Sequence, residues 1–208
     1  MPTNPLNYET LNKIHTIAIY GDIGTGKTAL AYNVIELFKD KMKIYFIKHP
    51  KPDLIEKLGF ENLYSLEEME EIEDSLIYID EPQLWISIYD NKTNSIIAKI
   101  CSLARQRGNK LIISSSDTRV FGKANEAYFD AWLIKDVDYT MVKNGSIIKN
   151  AIKGVAVIEP AGFRCKLGEF VFWSRKLRKN RGRHKFKKLK IFTEEHSKPY
   201  RNGERNNE

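Results

Sequence analysis

Apolar residues come in short dense blocks separated by polar turns. The blocks His15-Thr16-Ile17-Ala18-Ile19-Tyr20, Lys43-Ile44-Tyr45-Phe46-Ile47-Lys48, Leu76-Ile77-Tyr78-Ile79, Lys110-Leu111-Ile112-Ile113-Ser114-Ser115-Ser116-Asp117 and Ala131-Trp132-Leu133-Ile134-Lys135-Asp136-Val137 are β-prone and of strand length, as expected of strands buried on both faces. Between them, residues 29–38 hold helix formers without Gly or Pro, and residues 52–58 read as a short helix closed by Gly59. Residues 95–107 place Ile96, Ile97, Ile100, Leu103 and Ala104 at helical spacing before the stop signal Gly108-Asn109. Strands alternating with helices predict an α/β fold, a mostly parallel sheet flanked by helices. Ser65-Leu66-Glu67-Glu68 reads as a capping-box start to an acidic, solvated helix. Residues 1–14 show no periodicity and read as an arm or an irregular lead-in to the first strand. Past residue 137 the rhythm changes. Residues 139–143 and 146–149 flank Asn144-Gly145, a hairpin signal, and residues 155–158 and 169–174 add β segments. They predict a small antiparallel β extension near the C-terminus.

Composition adds little until charge is divided along the chain. At 208 residues and 42% hydrophobic content, the chain has the size of one α/β domain with an appendage. No apolar run reaches the roughly 20 residues that span a bilayer, and Met1-Pro2-Thr3-Asn4-Pro5 is no signal peptide. The expected location is the cytoplasm, and an integral membrane protein is excluded. Cys101 and Cys165 lie far apart without His partners, so reduced thiols are expected. The net charge is +7, yet residues 170–208 hold 13 of the 34 Lys and Arg and only 4 of the 27 Asp and Glu, which leaves 21 against 23 on residues 1–169. The run Arg175-Lys176-Leu177-Arg178-Lys179-Asn180-Arg181-Gly182-Arg183-His184-Lys185-Phe186-Lys187-Lys188-Leu189-Lys190 has ten cations in sixteen residues and no carboxylate. Self-repulsion predicts an extended or loosely helical tail, with nucleic-acid phosphates as its counter-surface. The predicted organisation is a body of residues 1–174 and a basic, partly disordered tail of residues 175–208.

The strongest chemical signal is Gly21-Asp22-Ile23-Gly24-Thr25-Gly26-Lys27-Thr28, which matches G-x-x-x-x-G-K-[ST] between a predicted strand and helix. Its glycines let backbone N–H groups curl around a β-phosphate, and the helix opening at Lys27 offers its N-terminal dipole to the same anion. Lys27 then reaches the β- and γ-phosphates of ATP, and the Thr28 hydroxyl is placed to ligate Mg2+.

Leu76-Ile77-Tyr78-Ile79-Asp80-Glu81 delivers two carboxylates at a strand end and resembles a Walker B motif. Asp80 is the candidate metal partner, and Glu81 the candidate base for the water that attacks the γ-phosphate. Pro82 biases Glu81 toward an extended backbone. Ser115 or Ser116 at the next strand tip stands where a polar γ-phosphate sensor belongs. Arg105, Arg107 and Arg119 are candidates for an arginine finger acting on a neighbouring subunit. For the first two, at a helix C-terminus, complementing the helix dipole is the structural alternative.

With the loop, Asp80-Glu81, the helix end Leu103-Ala104-Arg105-Gln106-Arg107-Gly108 and the strand 111–116 in place, residues 14–137 resemble the FtsK-HerA superfamily of DNA-pumping ATPases. The compact size resembles the genome-packaging ATPases of tailless icosahedral viruses, including those of archaea. The resemblance implies a RecA/ASCE-like P-loop NTPase fold and a homo-oligomeric ring, commonly a hexamer, with each active site at a subunit boundary. It also implies duplex DNA threaded through the ring, a capsid or membrane-associated docking partner, and action in the host cytoplasm if the source is viral. The family usually carries Gln where this chain has Ser116. Three rival readings share the loop. A small-molecule kinase is disfavoured because Glu81 directly after Asp80 favours water as nucleophile. An AAA+-class replication ATPase or helicase loader would have a helical lid where β segments follow here. The third is a non-hydrolysing, nucleotide-dependent switch that binds nucleic acid.

Overall fold

In the computed structural model, residues 4–86, 92–117, 119–121, 125–137, 163–166 and 168–186 are described. Eight strands form one sheet: β1 (Thr16–Tyr20), β2 (Ile44–Ile47), β3 (Glu61–Leu63), β4 (Leu76–Asp80), β5 (Lys110–Ser115), β6 (Ala131–Ile134), β7 (Glu169–Ser174) and β8 (Gly182–Lys185). The order is β3-β2-β4-β5-β1-β6-β7-β8. The strands from β3 to β6 in that order run parallel, and β7 and β8 are antiparallel. The expected α/β sheet with a small antiparallel extension is therefore what forms.

The central strands are buried on both faces, which is why their sequences read as unbroken apolar runs. On one face Ile17, Ile19, Leu76 and Tyr78 pack with α2 (Lys27–Phe38) through Leu30, Val34 and Ile35. On the other, Ala18, Tyr20, Ile77 and Ile79 pack with α4 (Lys92–Gln106) through Ile97, Ile100, Cys101 and Ala104. Gly108, at φ +69°, ends α4 with the Asn109 N–H returning to the Ala104 carbonyl at 2.8 Å, a Schellman stop. Cys101 is buried in this core and Cys165 half-buried, both as free thiols.

Four local expectations change. Within residues 4–14 the chain is neither arm nor wholly irregular lead-in. The short helix α1 (Tyr8–Leu11) is capped by the Asn7 side chain, which accepts the Thr10 N–H at 2.9 Å, and it buries Leu11. One turn is too brief to show a period. The acidic helix after Ser65 is a 3-10 turn, Glu67–Glu71, in which only Met69 is buried. Crowded carboxylates within that turn oppose further winding. The short edge strand β3 carries no period of its own in the sequence, and α3 (Pro52–Lys57) precedes it where a helix is expected.

The fourth change concerns the basic segment, whose first half is part of the sheet. β8 pairs with β7, placing His184 against Phe170 and Phe172 while Arg183 and Lys185 face outward. Arg183 pairs with Glu169 at 3.4 Å, and the Arg181 guanidinium donates to the Ser174 carbonyl at 2.7 Å. Two inward positions and the ladder outweigh charge repulsion that exposed Arg and Lys relieve into solvent. The Asn144-Gly145 hairpin, the segment 155–158 and the tail from residue 187 lie outside the described residues.

Candidate nucleotide-binding site

Strand register assembles the site. Tyr20 pairs with Ser115 and Asp80 with Ser114, so the loop after β1, the carboxylates ending β4 and the serines ending β5 emerge along one edge of the sheet. This is the carboxyl edge, where open α/β sheets bind ligands.

The loop Gly21 to Thr28 has the backbone its glycines allow. A Cβ on Gly21 would lie 2.6 Å from the Lys135 Cβ, so only glycine fits beside β6. Gly26, at φ +91°, is the N-cap of α2, and its carbonyl accepts the Leu30 N–H at 3.0 Å. The loop is pinned by Asp22 N–H to the Asp136 carbonyl at 2.9 Å and by the Thr25 hydroxyl to the Asp22 carbonyl at 2.8 Å. Arg164 flanks it, 3.6 Å from the Asp22 carboxylate and 3.8 Å from that of Asp136. Ile23 points outward, 81% exposed. Lys27 turns inward and is buried, donating to the Asp22 carbonyl at 3.1 Å and pairing with Glu81 Oε1 at 3.1 Å.

Thr28 donates its hydroxyl to Asp80 Oδ2 at 3.3 Å. The Ser114 hydroxyl donates to Asp80 Oδ1, and Tyr78 bonds to the same hydroxyl at 2.9 Å. Burial pushes the Asp80 carboxyl up to about 6, helped by the Glu81 charge and opposed by the Ser114 hydrogen bond. Burial, then the charge of Asp80, also raises the Tyr32 hydroxyl. A buried carboxylate beside a threonine hydroxyl, under a loop of the phosphate-binding pattern, is a hard oxygen donor set. Thr28 and Asp80 thus fit Mg2+ shared with phosphates.

Glu81 does not take the extended backbone expected before Pro82. It is left-handed at φ +44°, ψ +59°, an uncommon state for a non-glycine residue and one associated with functional sites. Its N–H donates to the Ser114 carbonyl at 2.8 Å and its carbonyl accepts the Leu84 N–H at 3.0 Å, so the chain reverses at once into the 3-10 turn Pro82–Leu84. The side chain lands across β5. Glu81 Oε2 accepts the Ser116 N–H at 2.8 Å, the Ser116 hydroxyl at 3.2 Å and the Gln83 amide. Ser115, the other sensor candidate, donates to Gln83 Oε1 at 2.8 Å.

The structure brings together Lys27, Thr28, Asp80, Glu81 and Ser116. It does not bring Arg105 or Arg107 to them within the chain. They lie at the opposite, amino edge of the sheet, not at its mouth, because α4 runs antiparallel to the strands. Arg105 Nη2 donates to the Tyr128 carbonyl at 2.7 Å and to Thr16 Oγ1 at 3.2 Å, and pairs with Asp130 at 3.3 Å. Asp130 is held below the usual carboxylate range. Burial alone would raise it, but Lys176, the His15 N–H and Arg105 outweigh that. Arg107 pairs with Glu73 at 2.5 Å on the surface. Arg119 is the candidate at the carboxyl edge, half exposed and paired with Asp117 at 2.5 Å. Sequence reasoning missed Gln83 and the role of Ser114. A serine interrupting an apolar strand signals Ser114, whereas nothing local signals Gln83.

A parallel sheet with this loop after β1 and carboxylates at the end of β4, with β5 inserted between the two strands, defines the P-loop NTPase fold. No protein-family model matches the sequence, and no curated protein matches it. Among solved structures, the genome packaging NTPase B204 from Sulfolobus turreted icosahedral virus 2, in complex with ATP-gammaS, aligns with TM-score 0.60 at 15% identity over 86% of this chain and 100% of that one. The same protein with AMPPCP aligns with TM-score 0.58 at 14% identity over 84% and 98%. The pCW3 conjugation coupling protein TcpA, in its monomer form with ATPgS, aligns with TM-score 0.58 at 14% identity over 85% of this chain. The chain spans 61% of that TcpA chain. At these identities the likeness is one of fold.

Proposed function

We propose that the protein is an ATP-hydrolysing, Mg2+-dependent translocase of double-stranded DNA that packages a viral genome. The observation that carries this reading is the convergence of loop and strand end: Lys27 Nζ is 3.1 Å from Glu81 Oε1, and Thr28 Oγ1 is 3.3 Å from Asp80 Oδ2. The amides of residues 21–28 and Lys27 hold the phosphates, Glu81 accepts the proton of the attacking water, and Ser116 stands beside both as sensor. Work on DNA is supported by the ten cations of residues 175–190 and by the shared fold with a genome packaging NTPase and a conjugation coupling protein. Exposed Arg175, Arg178, Lys179, Arg183 and Lys185 put part of that charge on the sheet's β8 side, fixed to the ATPase body.

The working form in this reading is a homo-oligomeric ring, with one arginine per boundary acting in trans. Position favours Arg119, since Arg105 is committed to Thr16, Tyr128 and Asp130. Among the described residues no helix is long and apolar enough to cross a membrane, and the reading puts the ring in the host cytoplasm, docked to a capsid or membrane-associated protein. The test is ATP hydrolysis with and without duplex DNA across protein concentration. The proposal expects turnover per chain to rise with concentration and again with DNA. Concentration-independent turnover indifferent to DNA contradicts it, and nucleotide binding without turnover makes the chain a switch.

A further inference from the structure

The geometry points to Gln83 as a positioning residue that fixes which oxygen of Glu81 faces the nucleotide. The inference rests on the reading of Glu81 as the base. An ionised carboxylate only accepts hydrogen bonds, so the Gln83 carboxamide must turn its nitrogen to Glu81 Oε2. Its oxygen is then held by the Ser115 hydroxyl at 2.8 Å, which locks that orientation from the neighbouring strand. With the Ser116 N–H at 2.8 Å and the Ser116 hydroxyl at 3.2 Å, Oε2 has three donors and no capacity left. Among the described residues Oε1 has one partner, Lys27 at 3.1 Å, and points to the loop. Once Lys27 engages phosphate, Oε1 is the oxygen able to take a proton from water.

The turn explains why Gln83 can do this. Glu81 at φ +44° and Pro82 at the first position of the 3-10 turn fold residue 83 back beside the carboxylate two residues earlier. A glutamate on so short a reversal has several rotamers open to it. The bridge from Ser115 through Gln83 to Oε2 selects one, and proton-transfer geometry is sensitive to displacements of about 1 Å.

The test uses the full chain with duplex DNA, measuring steady-state ATP turnover and binding of a non-hydrolysable ATP analogue. Gln83→Met keeps the side chain's length and removes the amide. Its kcat is expected to fall roughly 10- to 100-fold, with KM for ATP and analogue affinity within about twofold of the parent. Gln83→Glu sets a carboxylate against Oε2 and should lose more turnover than Gln83→Met, an order that a packing role would not produce. A Gln83→Met kcat within about twofold of an active parent overturns the inference and leaves the ATPase reading standing, as does a parallel fall in kcat and analogue affinity. A parent that binds the analogue but never hydrolyses ATP overturns both.

Discussion

Lys27 and Glu81, 54 positions apart, form an ion pair at 3.1 Å with side chains only 5% and 12% exposed. The loop's cation and the strand end's carboxylate are therefore one electrostatic unit. In the proposed reading phosphate competes with Glu81 for Lys27, and drawing Lys27 away frees the carboxylate proposed as the base.

Lys27→Ala should then do two things. Nucleotide affinity falls, by an expected tenfold or more, because the loop loses the buried cation that Lys27 sets among its amides. Stability falls by about 1–3 kcal/mol, since Glu81 Oε1 loses its Lys27 partner in a largely buried place. Adding Glu81→Gln recovers part of the stability and none of the affinity. Analogue titration and denaturant melts of the single and double variants check this. A Lys27→Ala protein that binds nucleotide as tightly as the parent contradicts the loop assignment.

Asp80 gives a pH signature. Its folded value, about 6, lies above the ordinary 3.8, so the folded protein holds a proton that the unfolded chain releases. Stability is then fully present below about pH 4 and declines as pH rises toward 6, by on the order of 2–3 kcal/mol. Asp80→Asn removes that decline. The variant should be more stable than the parent at pH 8, roughly equal to it near pH 4, and unable to support Mg2+-dependent nucleotide binding. Denaturant melts at the two pH values decide it, and an Asp80→Asn protein less stable than the parent at pH 8 contradicts the buried-charge account.

These outcomes trace back to features of unequal legibility. The loop and Asp80-Glu81 could be read directly, because glycine spacing and a strand-end acid pair are local patterns. The left-handed turn at Glu81 could not. The rule for residues before proline is local, and here it yields to bonds with Ser114 and Ser116 on another strand. Gln83 was hidden for the same reason, as its partners Ser115 and Ser116 become neighbours only when β4 pairs with β5. Arg105 misled because a helix-terminal arginine carries no mark of which sheet edge it reaches, and its acceptors lie 23 to 89 residues away in sequence. β8 was masked by charge, since Gly182 and His184 are the two inward positions in a segment otherwise rich in Arg and Lys.

That strand sets where the tail can be cut. Truncation after Ser174 removes β8 and uncovers Phe170 and Phe172, so it should unfold or aggregate. Truncation after Phe186 keeps the sheet and the ATPase. If half of the ten cations in residues 175–190 bind phosphates, log K against log salt has a slope near −4 to −5, from about −0.9 per neutralised phosphate. Removing residues 187–208, which hold six of the Lys and Arg, should lessen the slope by about 0.9 for each of those six that grips a phosphate. Salt titrations of duplex DNA binding by the parent and the chain ending at Phe186 measure this. An unchanged affinity and slope assign the DNA grip to other residues.

The most direct test of the site is turnover by Glu81→Gln measured beside its nucleotide affinity. The substitution keeps the side chain's shape and its place at the strand end while removing the proton acceptor. The account predicts analogue binding within a few-fold of the parent and ATP turnover reduced by roughly 100-fold or more. A Glu81→Gln protein that retains most of the parent's turnover contradicts it, because the base would then lie elsewhere.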